Sequence, residues 1–266
     1  MSETVLIERE GALATLNLNR PATMNALTDD DMVAALTRAM GEIDADHGIR
    51  CAILTGAGRA FSSGGNLNHM KEKSSIFAGD AIAIKDSYRT GIQSLARAVW
   101  QCEVPLIAAV NGPAYGAGCD LTCLCDIRIA SSKATFAEVF AKVGLISGDG
   151  GAWLLPRQIG LARAAEMTFT AEPVDAATAL DWGLVTKVTE PDELMDEARA
   201  LASRIAKNPP RQLRMAKRLL REAMKTDFET LLQLAAAYQG AAHQTRDHAE
   251  AVDALLEKRE PDIDGT

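Results

Sequence analysis

Along the first fifty residues the apolar positions change period. Val5–Glu8 and Ala12–Leu18 read as short β-type runs separated by Gly11. In the second run Ala12, Ala14, Leu16 and Leu18 share one face, while Leu13, Thr15 and Asn17 take the other. Asn19-Arg20-Pro21 breaks the strand. Helical spacing then sets in at Met32, Leu36 and Met40 and predicts a helix to about Ile43. Thr28 is its expected N-cap, and Asp29, Asp30 and Asp31 suit the positive end of its dipole.

Cys51–Thr55 is short and apolar enough for a buried strand, and it ends in a Gly56-Ala57-Gly58 turn. A small-residue loop follows from Phe61 to Asn66. Ile84, Tyr88, Ile92, Leu95 and Val99 fall on one stripe and predict a single long helix from about Ala81 to Cys102. Pro105–Val110 reads as another buried strand, Asn111–Gly118 as a glycine-rich turn into a helix, and Ile127–Ile129 as a short strand.

From Gly150 onward helical spacing dominates. Leu194, Ala198, Leu201 and Ile205 repeat after Pro191, a first-turn proline. Further helices are predicted near Arg211–Met224, Phe228–His243 and Arg246–Arg259. The expected fold is α/β: a strand-rich core over residues 1–207, then a helical region over 208–266, with Asn208-Pro209-Pro210 between them. Repeated strand–strand–helix units fit the order of elements.

A chain of 266 residues, 47% hydrophobic and 24% charged, can bury a full core, so disorder does not describe the bulk of it. A net charge of −8 argues against a nucleic-acid partner but leaves room for an anionic small ligand, since a few local cations or helix N-termini hold phosphates. No apolar run approaches the roughly 18 residues of a membrane span, so no membrane partner is expected. The acidic start Met1-Ser2-Glu3-Thr4 carries neither a basic signal-type region nor an Arg-rich transit pattern, which makes a cytoplasmic location the default expectation. Cys51, Cys102, Cys119, Cys123 and Cys125 lack a C-x-x-C pair and a nearby His, so the expectation is buried thiols and no metal.

Two segments can carry chemistry: Ala60-Phe61-Ser62-Ser63-Gly64-Gly65-Asn66-Leu67 and Asn111-Gly112-Pro113-Ala114-Tyr115-Gly116-Ala117-Gly118-Cys119-Asp120. Each follows a buried-strand candidate and opens a helix, so each can expose backbone N–H groups to a ligand. Small residues let the ligand come close to that backbone. Converging on one oxygen, two such turns make an oxyanion hole. Taken singly, each is equally a tight turn that only packs. Neither satisfies G-x-G-x-x-G or G-x-x-x-x-G-K-[ST], and no G-x-S-x-G surrounds Ser62 or Ser63.

Together, in order, the segments resemble the enoyl-CoA hydratase/isomerase (crotonase) superfamily. Asn19-Arg20-Pro21-Ala22-Thr23-Met24-Asn25-Ala26-Leu27 is similar to the family's N-R-P-x-x-x-N-A-L. Ala60 to Leu67 is similar to A-F-(S/C)-(A/S)-G-x-D-(L/I), and Pro105 through Leu121 to P-x-I-A-A-x-N-G…G-x-G-x-(E/D)-L. Cys125-Asp126-Ile127-Arg128, Ala134-Thr135-Phe136, Gly144-Leu145-Ile146, Gly150-Gly151 and Leu256-Glu257-Lys258-Arg259 continue in register. The resemblance implies a crotonase-like spiral of repeated β-β-α units with a helical C-terminal trimerisation region. It places the oxyanion hole at the N–H groups of Gly65 and Ala117. It sets Ala22 and Met24, with Ser63, Gly64, Asn66 and Leu67, along the coenzyme A channel. Lys258 matches a basic residue that reaches a CoA phosphate in relatives, and is otherwise a solvated helix-end lysine.

One departure changes the chemistry. Where the resemblance implies a glutamate pair holding the water to be added, this chain has Asp120 and Phe140. The remaining acids nearby are Glu138 and Asp149. On a helix Glu138 would point about 160° away from the site, being two residues before Phe140. Some isomerase-type relatives carry an acid in the turn of Asp149, one residue earlier. Asp149, with Asp120, is therefore the candidate for proton transfer, against N-capping for Asp149 and a structural hydrogen bond for Asp120. The resemblance implies enoyl-CoA hydratase or isomerase activity on an acyl-CoA thioester, as in fatty acid metabolism, with CoA entering as part of the substrate and no cofactor bound permanently. A homotrimer, or a hexamer of two trimers, goes with it. A catalytically impaired acyl-CoA binder or structural member of the same fold is the alternative.

Overall fold

The computed structural model describes residues 3–266, the side chain of Asp30 excepted. Strand β1 (Val5–Glu10) turns at Gly11 and pairs antiparallel with β2 (Leu13–Leu18). Ala14, Leu16 and Leu18 are fully buried, as the alternation predicts. Helix α1 (Asp30–Ala45) follows, with Asp29 rather than Thr28 at its N-cap position. Thr28 is used elsewhere: its Oγ1 accepts the N–H of Asn66 at 2.8 Å, tying the helix entry to the first glycine-rich loop.

Next come β3 (Cys51–Gly56), the short α2 (Leu67–Glu72), α3 (Ala81–Thr90) and α4 (Ile92–Gln101). The expected single helix over 81–102 is therefore two, broken at Gly91, whose φ of −93° and ψ of −109° leave the helical region. The apolar stripe continues across the break, which is why its period does not reveal it. Then follow β4 (Leu106–Val110), β5 (Ala114–Tyr115), α5 (Ala117–Leu124), β6 (Ile127–Ser131) and β7 (Thr135–Ala137). The chain continues through α6 (Gly151–Ile159), α7 (Leu161–Thr170), β8 (Val174–Asp175), α8 (Ala176–Asp181) and β9 (Lys187–Thr189). It ends in α9 (Leu194–Ala206), α10 (Pro210–Glu222), α11 (Phe228–Ala242) and α12 (Arg246–Glu257). None of the described helices is long and apolar enough to cross a membrane.

The larger sheet runs β1-β2-β3-β4-β6-β9, parallel beyond β2, and the smaller runs β5-β7-β8. An isolated bridge from Ser62 to Ala114 extends the smaller sheet by one more turn of chain. From β3 to β7 each turn thus contributes a strand to the larger sheet, a short strand or bridge to the smaller one and then a helix, which is a spiral of β-β-α units.

The larger sheet is covered on both faces, so its inner strands are apolar without alternating. Ala52, Leu54, Leu106, Ala108 and Val110 face the main core with Leu36, Met40 and Val99. Cys51, Ile53, Ile107, Ala109 and Ile129 face Leu194, Ala198 and Ala202 of α9. All five cysteines are buried free thiols.

Helix α10 attaches through charge. Lys217 Nζ lies 2.7 Å and Arg221 Nη2 2.9 Å from the two oxygens of Asp126, and Arg214 Nη1 lies 3.1 Å from Asp44. The three cations are spaced three and four residues apart, so they share one face of the helix.

Candidate active site

The site begins where the two glycine-rich loops meet. The Ser62 N–H donates to Pro113 O at 3.1 Å, and Tyr115 N–H donates to Ser62 O at 3.0 Å. This contact leaves no room for side chains. A Cβ at Gly64, whose φ is +77°, would collide with Tyr115 O, and one at Gly118 would collide with Ser62 O. Asn25 fixes the first loop from below. Fully buried, it donates to Ala57 O at 3.0 Å and Ala60 O at 2.9 Å, while its own carbonyl accepts from Ser62 Oγ at 2.8 Å. Around Gly65 the N–H groups are occupied: Gly64 N–H donates to Ser62 Oγ and Asn66 N–H to Thr28 Oγ1. The N–H of Gly65 and that of Ala117, first residue of α5, have no acceptor among the described residues.

Both residues line one cavity of about 620 Å³. Ala22, Met24, Ser63, Asn66, Leu67, Phe140 and Asp149 line it too, so most of the residues expected at the site are brought together. Three are not in its wall. Gly64 lies beneath it, at the contact of the two loops. Asp120 stands one layer behind, with no exposed surface. Lys258 is exposed at the end of α12, in a left-handed conformation with φ of 57°, and does not line the cavity. Asn66 also caps α2, its side chain accepting from Asn68 N–H at 3.0 Å. Two cations that sequence reasoning missed, Arg59 and Lys142, stand in the wall. Neither belongs to a motif or a helical stripe, so no signal marked them.

At the cavity wall and behind it lie three buried carboxyl groups. Asp149 is 7% exposed, Glu138 1% and Asp120 0%. Glu138 does not line the cavity, but the helical reason expected for that does not hold. It follows β7 directly with φ of −90° and ψ of 70°, at the head of a short 3-10 turn, so α-helical angles do not apply to it. Its side chain meets Asp120. The capping alternative for Asp149 also falls: Gly150 holds the N-cap position of α6, with no side-chain cap. For Asp120 the structural bond exists, since Ser147 Oγ donates to its Oδ2 at 2.9 Å. Room for that carboxyl depends on Gly151, where any Cβ would overlap Asp120 Oδ1.

Burial, the largest cause in each case, disfavours the charged forms. Asp149 is held well above the ordinary carboxylate range by burial and then by the charge of Asp120. Asp120 is raised well above it by burial and then by Glu138, and burial pushes Glu138 up to about 7. Tyr88, in the cavity wall, is raised by its partial burial and by facing Asp149. Burial thus favours the protonated form of all three carboxyl groups, and Asp149, the one in the cavity wall, is placed for general acid–base chemistry.

A spiral of β-β-α units with a cleft between two strand-to-helix loops is the crotonase class of fold. The sequence model of the enoyl-CoA hydratase/isomerase family matches residues 8–266. The chain is 37% identical over 258 residues to the short-chain-enoyl-CoA hydratase of Clostridium acetobutylicum, across 96% of this chain and 95% of that one. It is also 37% identical over 265 residues to the 1,2-epoxyphenylacetyl-CoA isomerase of Escherichia coli, across 100% of both. The crystal structure of an enoyl-CoA hydratase from Bacillus anthracis superimposes with a TM-score of 0.92 at 30% identity, across 99% of this chain and 100% of that one. The chain belongs to the enoyl-CoA hydratase/isomerase family.

Proposed function

We propose that this chain acts on an enoyl-CoA thioester and shifts its double bond, with Asp149 as the catalytic acid/base. The observation that carries this reading is that Asp149 is the one carboxylate among the residues lining the cavity, and Phe140 stands where a second acid would be needed to hold water. The thioester oxygen binds between the N–H groups of Gly65 and Ala117. From a 3-enoyl thioester the Asp149 carboxylate takes an α-proton, and the C–H electron pair passes into a dienolate whose charge lies on the thioester oxygen. The two N–H dipoles stabilise that charge more than the neutral ground state, which lowers the barrier. Protonated Asp149 then returns the proton to the γ-carbon, leaving the 2-enoyl product. Phe140, an apolar ring, offers no group to hold or activate a water for addition. Arg59 and Lys142, in the wall, are positioned to face the anionic groups of coenzyme A.

A panel of 2-enoyl- and 3-enoyl-CoA thioesters tests this. Interconversion of the two regioisomers is expected. Net hydration as the main reaction would replace isomerase with hydratase, and binding of CoA without any turnover would favour an acyl-CoA-binding role. The reading extends to assembly as a homotrimer. Phe228 (74% exposed), Leu255 (80%) and Leu256 (76%) leave an apolar surface on α11 and α12 that a partner copy would cover. A native mass of a single chain would contradict that.

A further inference from the structure

Glu138 has no part in the reaction as derived, yet it is 1% exposed and lies beside Asp120, which in turn lies beside Asp149. Two of the buried oxygens here, Asp120 Oδ1 and Glu138 Oε1, receive no hydrogen bond from any N–H or O–H donor among the described residues. The groups nevertheless lie within hydrogen-bonding reach: Glu138 to Asp120, and Asp120 to Asp149. Two carboxyl groups satisfy each other only by sharing a proton, since both are acceptors when ionised. An unsatisfied buried oxygen is otherwise costly.

We infer that Glu138 is a positioning residue, which shares a proton with Asp120 and so fixes the orientation and protonation of Asp149 at the cavity wall. The inference rests on the role of Asp149 proposed above. The chain has three layers. Glu138 is buried against Asp120 and Cys119 of α5, and Asp120 is clamped by Ser147 Oγ on one side and has room on the other only because Gly151 lacks a Cβ. Only Asp149 reaches the cavity. The other titratable or charged groups facing the three are Cys119 and Cys123 on α5, Tyr88 on α3 opposite Asp149, and Arg128 on β6 opposite Cys123. Arg128 is committed to carbonyls, donating to Cys125 O at 2.9 Å and Thr122 O at 3.2 Å. The carboxyls therefore have no cation bonded to them among the described residues, and protons alone balance their charge. A negative charge passing along the chain raises each neighbour in turn, which keeps Asp149 poised to receive a proton.

The test is Glu138→Gln, which keeps the shape but replaces the shared proton with a permanent donor to Asp120. The expected result is a fall in kcat of roughly tenfold or more, below the full contribution of a general base, with KM within about twofold. The acid limb of the kcat–pH profile should also move to lower pH, because the like charge that raises Asp120 and Asp149 is gone. Glu138→Asp should recover part of both. A folded Glu138→Gln protein with unchanged kcat and unchanged profile overturns the inference and leaves the function of Asp149 standing. Should that variant not fold, infrared spectra of the wild-type protein decide. A protonated-carboxyl band persisting near neutral pH supports the shared proton, and its absence overturns it. Absence of wild-type turnover on every enoyl-CoA would instead sink the proposed reaction, while the infrared measurement still reads the proton between Glu138 and Asp120.

Discussion

Phe140 and Asp149 both line the cavity, and the difference between them decides the chemistry that its wall can do. The pairing of an apolar ring with one buried acid was legible in the sequence, because both fall in segments that the family resemblance brings to the site. Glu138 was not, since its exclusion rested on helical angles and the chain there leaves a strand through a 3-10 turn. Its burial has a consequence for stability. With a folded pKa of about 7 against an ordinary 4.5, Glu138 binds its proton more tightly in the native state. That stabilisation is present below the unfolded pKa and is lost as pH rises toward the folded one, amounting to roughly 3 kcal/mol at most. Urea unfolding at about pH 5 and about pH 8 should therefore show a loss in the wild type that is smaller in Glu138→Gln. Equal losses in the two proteins would contradict it.

At the scale of elements, the loops build more of the candidate site than the helices and strands they join. Their small residues announce themselves in sequence, and the structure gives the reason at Gly64 and Gly118, where one loop's backbone sits where a side chain would be. Replacing Gly64 by Ala should push the first loop off Tyr115 and move the neighbouring Gly65 N–H out of line. Loss of one such donor lowers kcat by roughly 10²–10³-fold. Steady-state kinetics with near-normal kcat in a folded Gly64→Ala protein would separate this loop from catalysis. Elements too short to show a period were not legible: β8 and β9 have two and three residues. Gly91 was missed for a different reason, since the stripe of Ile92, Leu95 and Val99 resumes in phase after the break.

The whole molecule is a sheet closed on both faces, with its C-terminal helices fastened partly by buried charge. Order of motifs along the chain made the spiral legible, because the elements recur in the same succession as in the family. The fastening of α10 was not, since nothing in the sequence pairs Arg214, Lys217 and Arg221 with the distant Asp44 and Asp126. Replacing Asp126 with Ala leaves Lys217 and Arg221, whose side chains are 6% and 11% exposed, without their counter-charge. A loss of about 3–5 kcal/mol is expected, read by chemical denaturation. A loss under about 1 kcal/mol would place the helix's anchorage elsewhere.

The proton transfer assigned to Asp149 is tested most directly by turnover in ²H₂O, with 2-enoyl- and 3-enoyl-CoA substrates read by mass spectrometry. The wild type should interconvert the two regioisomers and incorporate deuterium without gaining the mass of water. Asp149→Asn should bind CoA normally yet lose roughly 10²–10⁴-fold in kcat and lose the exchange with it. Undiminished exchange in Asp149→Asn, or a wild-type product heavier by one water, would contradict the account.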